Sequence, residues 1–158
     1  PNGFDSLTWF GKGPYENYID RQVGSDVGLY QQSVLNDYYS YIRPQESSNK
    51  TDVRWFALTN SNQKGLKISA VSSNLSMSAW PYSPEDINNA KHTYELTPKD
   101  HITVNVDHRQ MGVGGDDTWS IKALPHEEYQ IPSGKYYYSF LIQPVFNAKD
   151  LKRGHVPE

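Results

Sequence analysis

The chain reads as an all-β protein, an antiparallel β-sandwich with one short helix. Three observations predict this. Apolar residues alternate with polar ones in short runs, as Ile102, Val104 and Val106 do with Thr103, Asn105 and Asp107, the period of a strand with one buried face. Turn formers such as Gly13-Pro14, Ser47-Ser48-Asn49-Lys50 and Pro132-Ser133-Gly134 separate the runs. Aromatic content is high at 13%, with 12 Tyr and 4 Trp, a composition that favours strands and an aromatic core. At 158 residues the chain is a single domain or a fragment of one, long enough to bury a core.

Taken in order, Leu7 to Phe10 is a strand that runs into the turn at Gly13-Pro14. In the segment that follows, Glu16 and Asp20 are expected to tie down a turn through Arg21. Residues 22–37 are polar with scattered Val, Leu and Gly, and read as a long connection with one helical turn. Tyr38 to Arg43 is expected as a strand stopped by Pro44. Val53 to Leu58 is almost continuously apolar, as in a strand covered on both faces. Arg54 interrupts it, and Glu46 is its expected partner, since a buried charge needs one.

Leu66, Ile68 and Ala70, then Leu75, Met77 and Ala79, alternate with polar residues around Ser72-Ser73-Asn74 and predict a hairpin. Ser83-Pro84-Glu85-Asp86 is a helix start: Ser83 caps, Pro84 takes the first helical position and acids fill the first turn. Tyr94 to Leu96 is expected as a strand, Ile102 to Val106 as the clearest one, and Tyr136 to Ile142 as the last. Trp9, Trp55 and Trp80 are expected in the core. Residues 147–158 read as a flexible tail.

Several functions are argued against. With no Cys there is no disulfide, thiolate nucleophile or Cys-ligated zinc. The five histidines lack the spacing of a zinc motif, and no metal site is expected. A net charge of -3 gives no footprint for nucleic acid or an anionic membrane. No run approaches the roughly 18 apolar residues of a membrane span. No G-x-S-x-G elbow marks a serine nucleophile.

The stretch that asks for a function is residues 108–120, His-Arg-Gln-Met-Gly-Val-Gly-Gly-Asp-Asp-Thr-Trp-Ser. Gly112, Gly114 and Gly115 suggest a backbone conformation closed to residues with a Cβ. Two carboxylates follow where an anion would sit, which argues against a phosphate cradle; Asp116 and Asp117 stay open as a calcium site. The loop is expected to place Trp119. A flat apolar ring flanked by short hydrogen-bonding side chains suits a sugar, which offers a C–H face and a rim of hydroxyls. A glycosidase needs two carboxyl groups at a separation of roughly 5 Å, or 6.5 to 9.5 Å, across the scissile bond. Asp116 and Asp117 are adjacent and expected to diverge, and no other pair is marked.

Met111 to Trp119 resembles the M-G-(I/V)-G-G-D-D-(S/T)-W signature of the C-terminal domain of family 2 β-galactosidases. Two further stretches agree in order. Trp9 to Arg21 resembles that family's W-x-G-x-G-P-x-E-x-Y-x-D-R, and Tyr41 to Glu46 followed by Val53-Arg54-Trp55 resembles its Y-x-x-P-Q-E and V-R-W. The resemblance covers roughly residues 7 to 145 and implies part of a β-supersandwich like that of galactose mutarotase. It implies catalytic glutamates and a magnesium ion in a TIM-barrel domain absent from this chain, so no catalytic residue and no cofactor are assigned here. Trp119 would be the wall on which galactose and the leaving glucose stack, with His108, Gly112, Gly114, Gly115, Asp116 and Asp117 supporting the loop.

The expected partners are therefore a galactoside such as lactose, the remainder of a longer β-galactosidase chain, and a second copy, because half a sandwich should dimerise or re-close its sheets. A free-standing carbohydrate-binding module is the alternative. A mutarotase-like epimerase, with Glu16 as base and His108 as acid, is another.

Overall fold

The computed structural model of the chain describes residues 3–152. In order, its elements are β1 (Ser6–Gly13), β2 (Asp26–Ser33), α1 (Val34–Asp37), β3 (Lys50–Val53), β4 (Trp55–Thr59), β5 (Gly65–Ala70), β6 (Leu75–Trp80), α2 (Pro84–Asn89), β7 (Thr103–Asp107), β8 (Phe140–Val145) and α3 (Ala148–Lys152). Short 3-10 turns lie at Thr93–Glu95, Ile121–Ala123 and Glu127–Tyr129. One sheet has the order β2-β1-β4-β5-β8, the other β3-β6-β7, and all pairings are antiparallel. This is the all-β sandwich that the alternation predicts, with two short helices besides the expected α2.

The core forms where the two sheets face each other. Leu7 and Trp9 from β1, Phe56 and Leu58 from β4 and Ile68 from β5 meet Val53, Leu75, Met77 and Ala79 of the smaller sheet. Register explains the selection: Leu7 pairs with Leu58 and Trp9 with Phe56, so one face of the central strands carries the large apolar groups. A second cluster joins Tyr38, Trp80, Tyr82, Ile87, Ala90 and Leu96, with the Tyr38 ring edge-on to Tyr82 at 5.0 Å. The helix that supplies Ile87 is capped as its sequence predicts. Asp86 N–H donates to Ser83 Oγ at 3.1 Å, and Ser83 N–H returns a bond to Asp86 Oδ2 at 3.2 Å, a cap that stabilises by about 1 kcal/mol.

Several expectations are corrected. Within residues 22–37 lies the full edge strand β2, paired with β1 along its length. Val27 and Leu29 pair with Lys12 and Phe10 on the outward face and are exposed, while Gly28, Tyr30 and Gln32 share the inward face with Leu7 and Trp9, so the alternation that betrays a strand is weak; the expected helical turn is α1. Strands β5 and β6 are not a hairpin. Each is interior to a different sheet, β5 between β4 and β8, β6 between β3 and β7, and alternation cannot say which neighbour a strand takes.

Tyr38 to Arg43 is not a strand. Side chains hold it instead: Tyr39 N–H donates to Ser48 Oγ at 2.8 Å and Tyr38 Oη to the Gln45 carbonyl at 3.1 Å. Tyr94 falls in a 3-10 turn, and the last strand begins only at Phe140. Trp9 and Trp80 are buried, but Trp55 is half-buried outside both clusters, on the outer face under the Lys67 ammonium, which lies 4.5 Å from its ring centroid.

Residues 147–158, expected as a tail, begin in α3, where the Leu151 carbonyl accepts from Lys67 Nζ at 3.2 Å. The remainder from 153 lies outside the described residues.

Candidate functional site

Strand β7 ends at Asp107 and delivers the chain to His108 and the glycine loop. None of Gly112, Gly114 and Gly115 takes a positive φ; Gly3 is the one described glycine that does. The expectation of a backbone conformation closed to residues with a Cβ is therefore corrected, because Gly112 and Gly115 answer to crowding instead. A Cβ at Gly112 would stand 2.7 Å from Asp20 Oδ2 and 2.8 Å from Tyr129 Cβ, and one at Gly115 would meet the Lys122 carbonyl and lie 2.5 Å from the Ala123 carbonyl carbon. At Gly114 the nearest atom is 3.6 Å away, ordinary contact.

The loop is anchored from both ends of the chain. Asp20 Oδ2 accepts from the N–H groups of Val113 and Gly114, both at 2.8 Å. Gly112 N–H donates to the Tyr129 carbonyl at 2.9 Å, and Asp116 N–H to the Lys122 carbonyl at 2.7 Å. Asp20 was expected to join Glu16 at Arg21. Glu16 does pair with Arg21 and also accepts from Tyr41 Oη and from Ser48 N–H, whereas Asp20 turns to the loop. The one sequence signal for it is its place in the second resembling stretch; 93 residues separate it from Val113.

Asp117 caps the turn that carries the tryptophan. Its Oδ1 accepts from Trp119 N–H at 3.1 Å and Ser120 N–H at 3.0 Å, and its Oδ2 from Ser120 Oγ at 2.6 Å. These bonds, the Ser120 hydroxyl first, hold the carboxyl below its usual range. Asp116 Oδ1 instead meets His126 Nε2 at 2.8 Å. The two carboxylates diverge, as adjacency predicts, and the calcium reading is set aside because they engage different partners. Among the described residues no three His, Cys, Asp or Glu side chains converge as a metal site.

Trp119 is 85% exposed, the outermost large group on an otherwise tied loop. His108 is placed apart from it in role: its ring stacks on Tyr138 at 5.7 Å and its Nδ1 lies 3.4 Å from Ser73 Oγ. Glu16 and His108 share no partner, so the structure does not assemble the acid–base pair of an epimerase. Arg54 does not reach Glu46 either. Its Nη1 donates to the Asp52 carbonyl at 2.5 Å and pairs with Asp52 Oδ2 at 3.4 Å. Beside the loop, Val113 closes a cleft of about 180 Å³ with Tyr18, Arg21, Tyr41, Gln45 and Glu46.

Two predictions arise here. The hydrogen bond and charge of Asp116 raise the His126 pKa above its ordinary value. The charged pair is therefore present at low pH and lost as pH rises through that raised pKa. An NMR titration should show a high His126 midpoint that falls to the ordinary histidine value in Asp116→Asn, and an unchanged midpoint would mean the pair does not form. Asp20→Ala removes the acceptor of both loop amides. Hydrogen-exchange protection at Val113 and Gly114 should fall by about tenfold, the worth of one such bond near the surface, while β1 keeps its protection.

Comparison with known proteins gives the chain a family. A family described as beta galactosidase small chain matches residues 1–142. The beta-galactosidase of Priestia megaterium is 43% identical over 143 residues, 90% of this chain and 14% of the relative. That of Streptococcus thermophilus is 40% identical over 143 residues, again 90% and 14%. That of Lactobacillus delbrueckii subsp. bulgaricus is 38% identical over 146 residues, 92% and 14%. The chain thus spans about 14% of the length of these relatives.

Proposed function

Because the chain belongs to the β-galactosidase small-chain family, we propose that it is the C-terminal portion of a family 2 β-galactosidase that hydrolyses terminal β-D-galactosides such as lactose. Its part is to hold Trp119 at the rim of an active site whose catalytic glutamates belong to a TIM-barrel domain of the same longer chain. The observation that carries this reading is an indole 85% exposed on a loop fixed by Asp20 and Asp117. A large apolar ring held into water by a preorganised loop contributes nothing to the core. It is positioned to stack on the C–H face of a sugar and to exclude water from it. Gly112, Gly115, Asp116 and Asp117 support the loop, Gly114 offers it a backbone N–H that Asp20 holds, His108 fixes its entry against Tyr138, and none takes a chemical step. Magnesium, where the resemblance implies it, would be held by residues outside this chain.

The edge of the sandwich supports a larger assembly. Ile142 of β8 pairs with Ile68 of β5 and shares its inward face, yet Ile142 is 56% exposed and Ile68 6%, because the smaller sheet ends at β7. More of a supersandwich, or a second copy of the chain, would cover that face and close the open edge.

The test is complementation. The chain alone should leave a chromogenic β-galactoside intact, and mixing it with the parent enzyme truncated before Pro1 should restore hydrolysis. Hydrolysis by the chain alone, or no gain on mixing, would overturn the proposal.

A further inference from the structure

A cleft of about 430 Å³ shares Gln45 and Glu46 with the one that Val113 closes and is lined also by residues of helix α2 and strands β6 and β7. This volume is within the range of small-molecule sites, roughly 300 to 1,000 Å³, and is room for one or two sugar rings. Trp80 contributes to its lining. That residue is 2% exposed, and its indole N–H, itself closed off from solvent, finds no acceptor in the protein. Arg43 and Asn88 add donors at the exposed rim. Acceptors are mixed among them: the Glu46 carboxylate, and Asn105, whose amide nitrogen already donates to Ser78 Oγ at 3.0 Å and leaves its oxygen to accept. Pro84 and Ile87 supply apolar surface.

Donors and acceptors interleaved over apolar patches, with a cation and an anion both present, select neither a cationic nor an anionic ligand. They match vicinal hydroxyls above a C–H face. Burial, and after it the charge of Asp107, pushes the Glu46 carboxyl up, and hydroxyl donors would relieve it.

We infer that this cleft is a second saccharide-binding site, built by Arg43, Glu46, Asn88 and Asn105 around Trp80 and independent of the Trp119 loop. None of these residues was marked as a sugar contact by the sequence, because they come from four separate segments. An affinity near 1 mM is the expected scale for a few hydrogen bonds to a solvated sugar.

The experiment is a titration of the ¹⁵N-labelled 158-residue chain with lactose, and separately with galactose, followed at the indole and side-chain amide resonances. The indole of Trp80 and the amides of Asn88 and Asn105 should shift saturably, in the parent sequence and equally in Trp119→Ala. Arg43→Ala, at an exposed position, and Glu46→Gln should each weaken the affinity about tenfold, one charge-assisted hydrogen bond. Movement of the Trp119 indole with a silent Trp80 indole would sink this inference and leave the reading of the loop intact. Trp80 shifts indifferent to both variants would also sink it, as a change transmitted from elsewhere.

Discussion

Trp119→Ala should leave the unfolding midpoint of the chain where it is and lower the activity gained on complementation by roughly 10- to 100-fold. The first half follows from exposure. At 85% exposed the indole has almost no core contact to lose, and Asp117 bonds its backbone N–H, not its ring. The second half follows from what the ring would cover. Burying a large apolar side chain against a ligand is worth about 1.5 to 3 kcal/mol, which is roughly one to two decades in affinity or rate. Trp119→Phe should recover part of that loss, since a smaller flat ring still stacks, whereas Trp119→Leu should recover less. Thermal unfolding measured beside hydrolysis separates the halves: a lower midpoint in Trp119→Ala would place the ring in the packing, and an unchanged activity would remove it from the sugar.

Asp37→Ala should destabilise the fold by about 3 to 5 kcal/mol, the cost of leaving a buried charge alone. Lys50 Nζ meets Asp37 Oδ1 at 2.8 Å and Oδ2 at 3.1 Å, and the two side chains are 1% and 2% exposed. Desolvation dominates both groups, holding the carboxyl above its usual range and the ammonium below its own, so attraction within the pair does not fully offset their removal from water. The sign then follows. A carboxyl with a raised folded pKa opposes folding progressively as pH climbs from its unfolded pKa through the folded one, and a lysine with a lowered pKa does so as pH falls from its unfolded pKa through the folded one.

Removing one partner is therefore severe, while removing both need not be. The double variant Asp37→Leu with Lys50→Met keeps the volume and should regain most of the loss, although Lys50 also donates to the Ser48 carbonyl at 2.9 Å. Denaturant unfolding of the three variants decides it. A double variant no better than Asp37→Ala would show that the charge pair itself, not the burial of a lone charge, sustains this corner of the sandwich.

Much of the fold was legible because its signals are local. Alternation named β5, β6 and β7, a short apolar run before a Gly-Pro turn named β1, and the cap at Ser83 named α2, since these signals depend on residues a few positions apart. Strand β2 was missed because its apolar Val27 and Leu29 lie on the exposed face while Gly28 and Gln32 take inward positions, so its pattern does not mark the buried side. The supposed Tyr38 to Arg43 strand was misread because tyrosines that suit a ladder also suit a loop packed on Trp80 and Tyr82.

The order of residues by itself determined the sandwich class, the family and the exposed tryptophan loop. These rest on side-chain period and on contiguous motifs, which the linear sequence contains in full. Only the tertiary structure decided that Asp20 holds Val113 and Gly114, that Lys50 meets Asp37, that β5 and β6 part into different sheets, and that Gly112 and Gly115 relieve crowding. Each depends on atoms brought together from distant positions by the packing of two sheets, and no local pattern records which distant partner a hydrogen-bonding group will find.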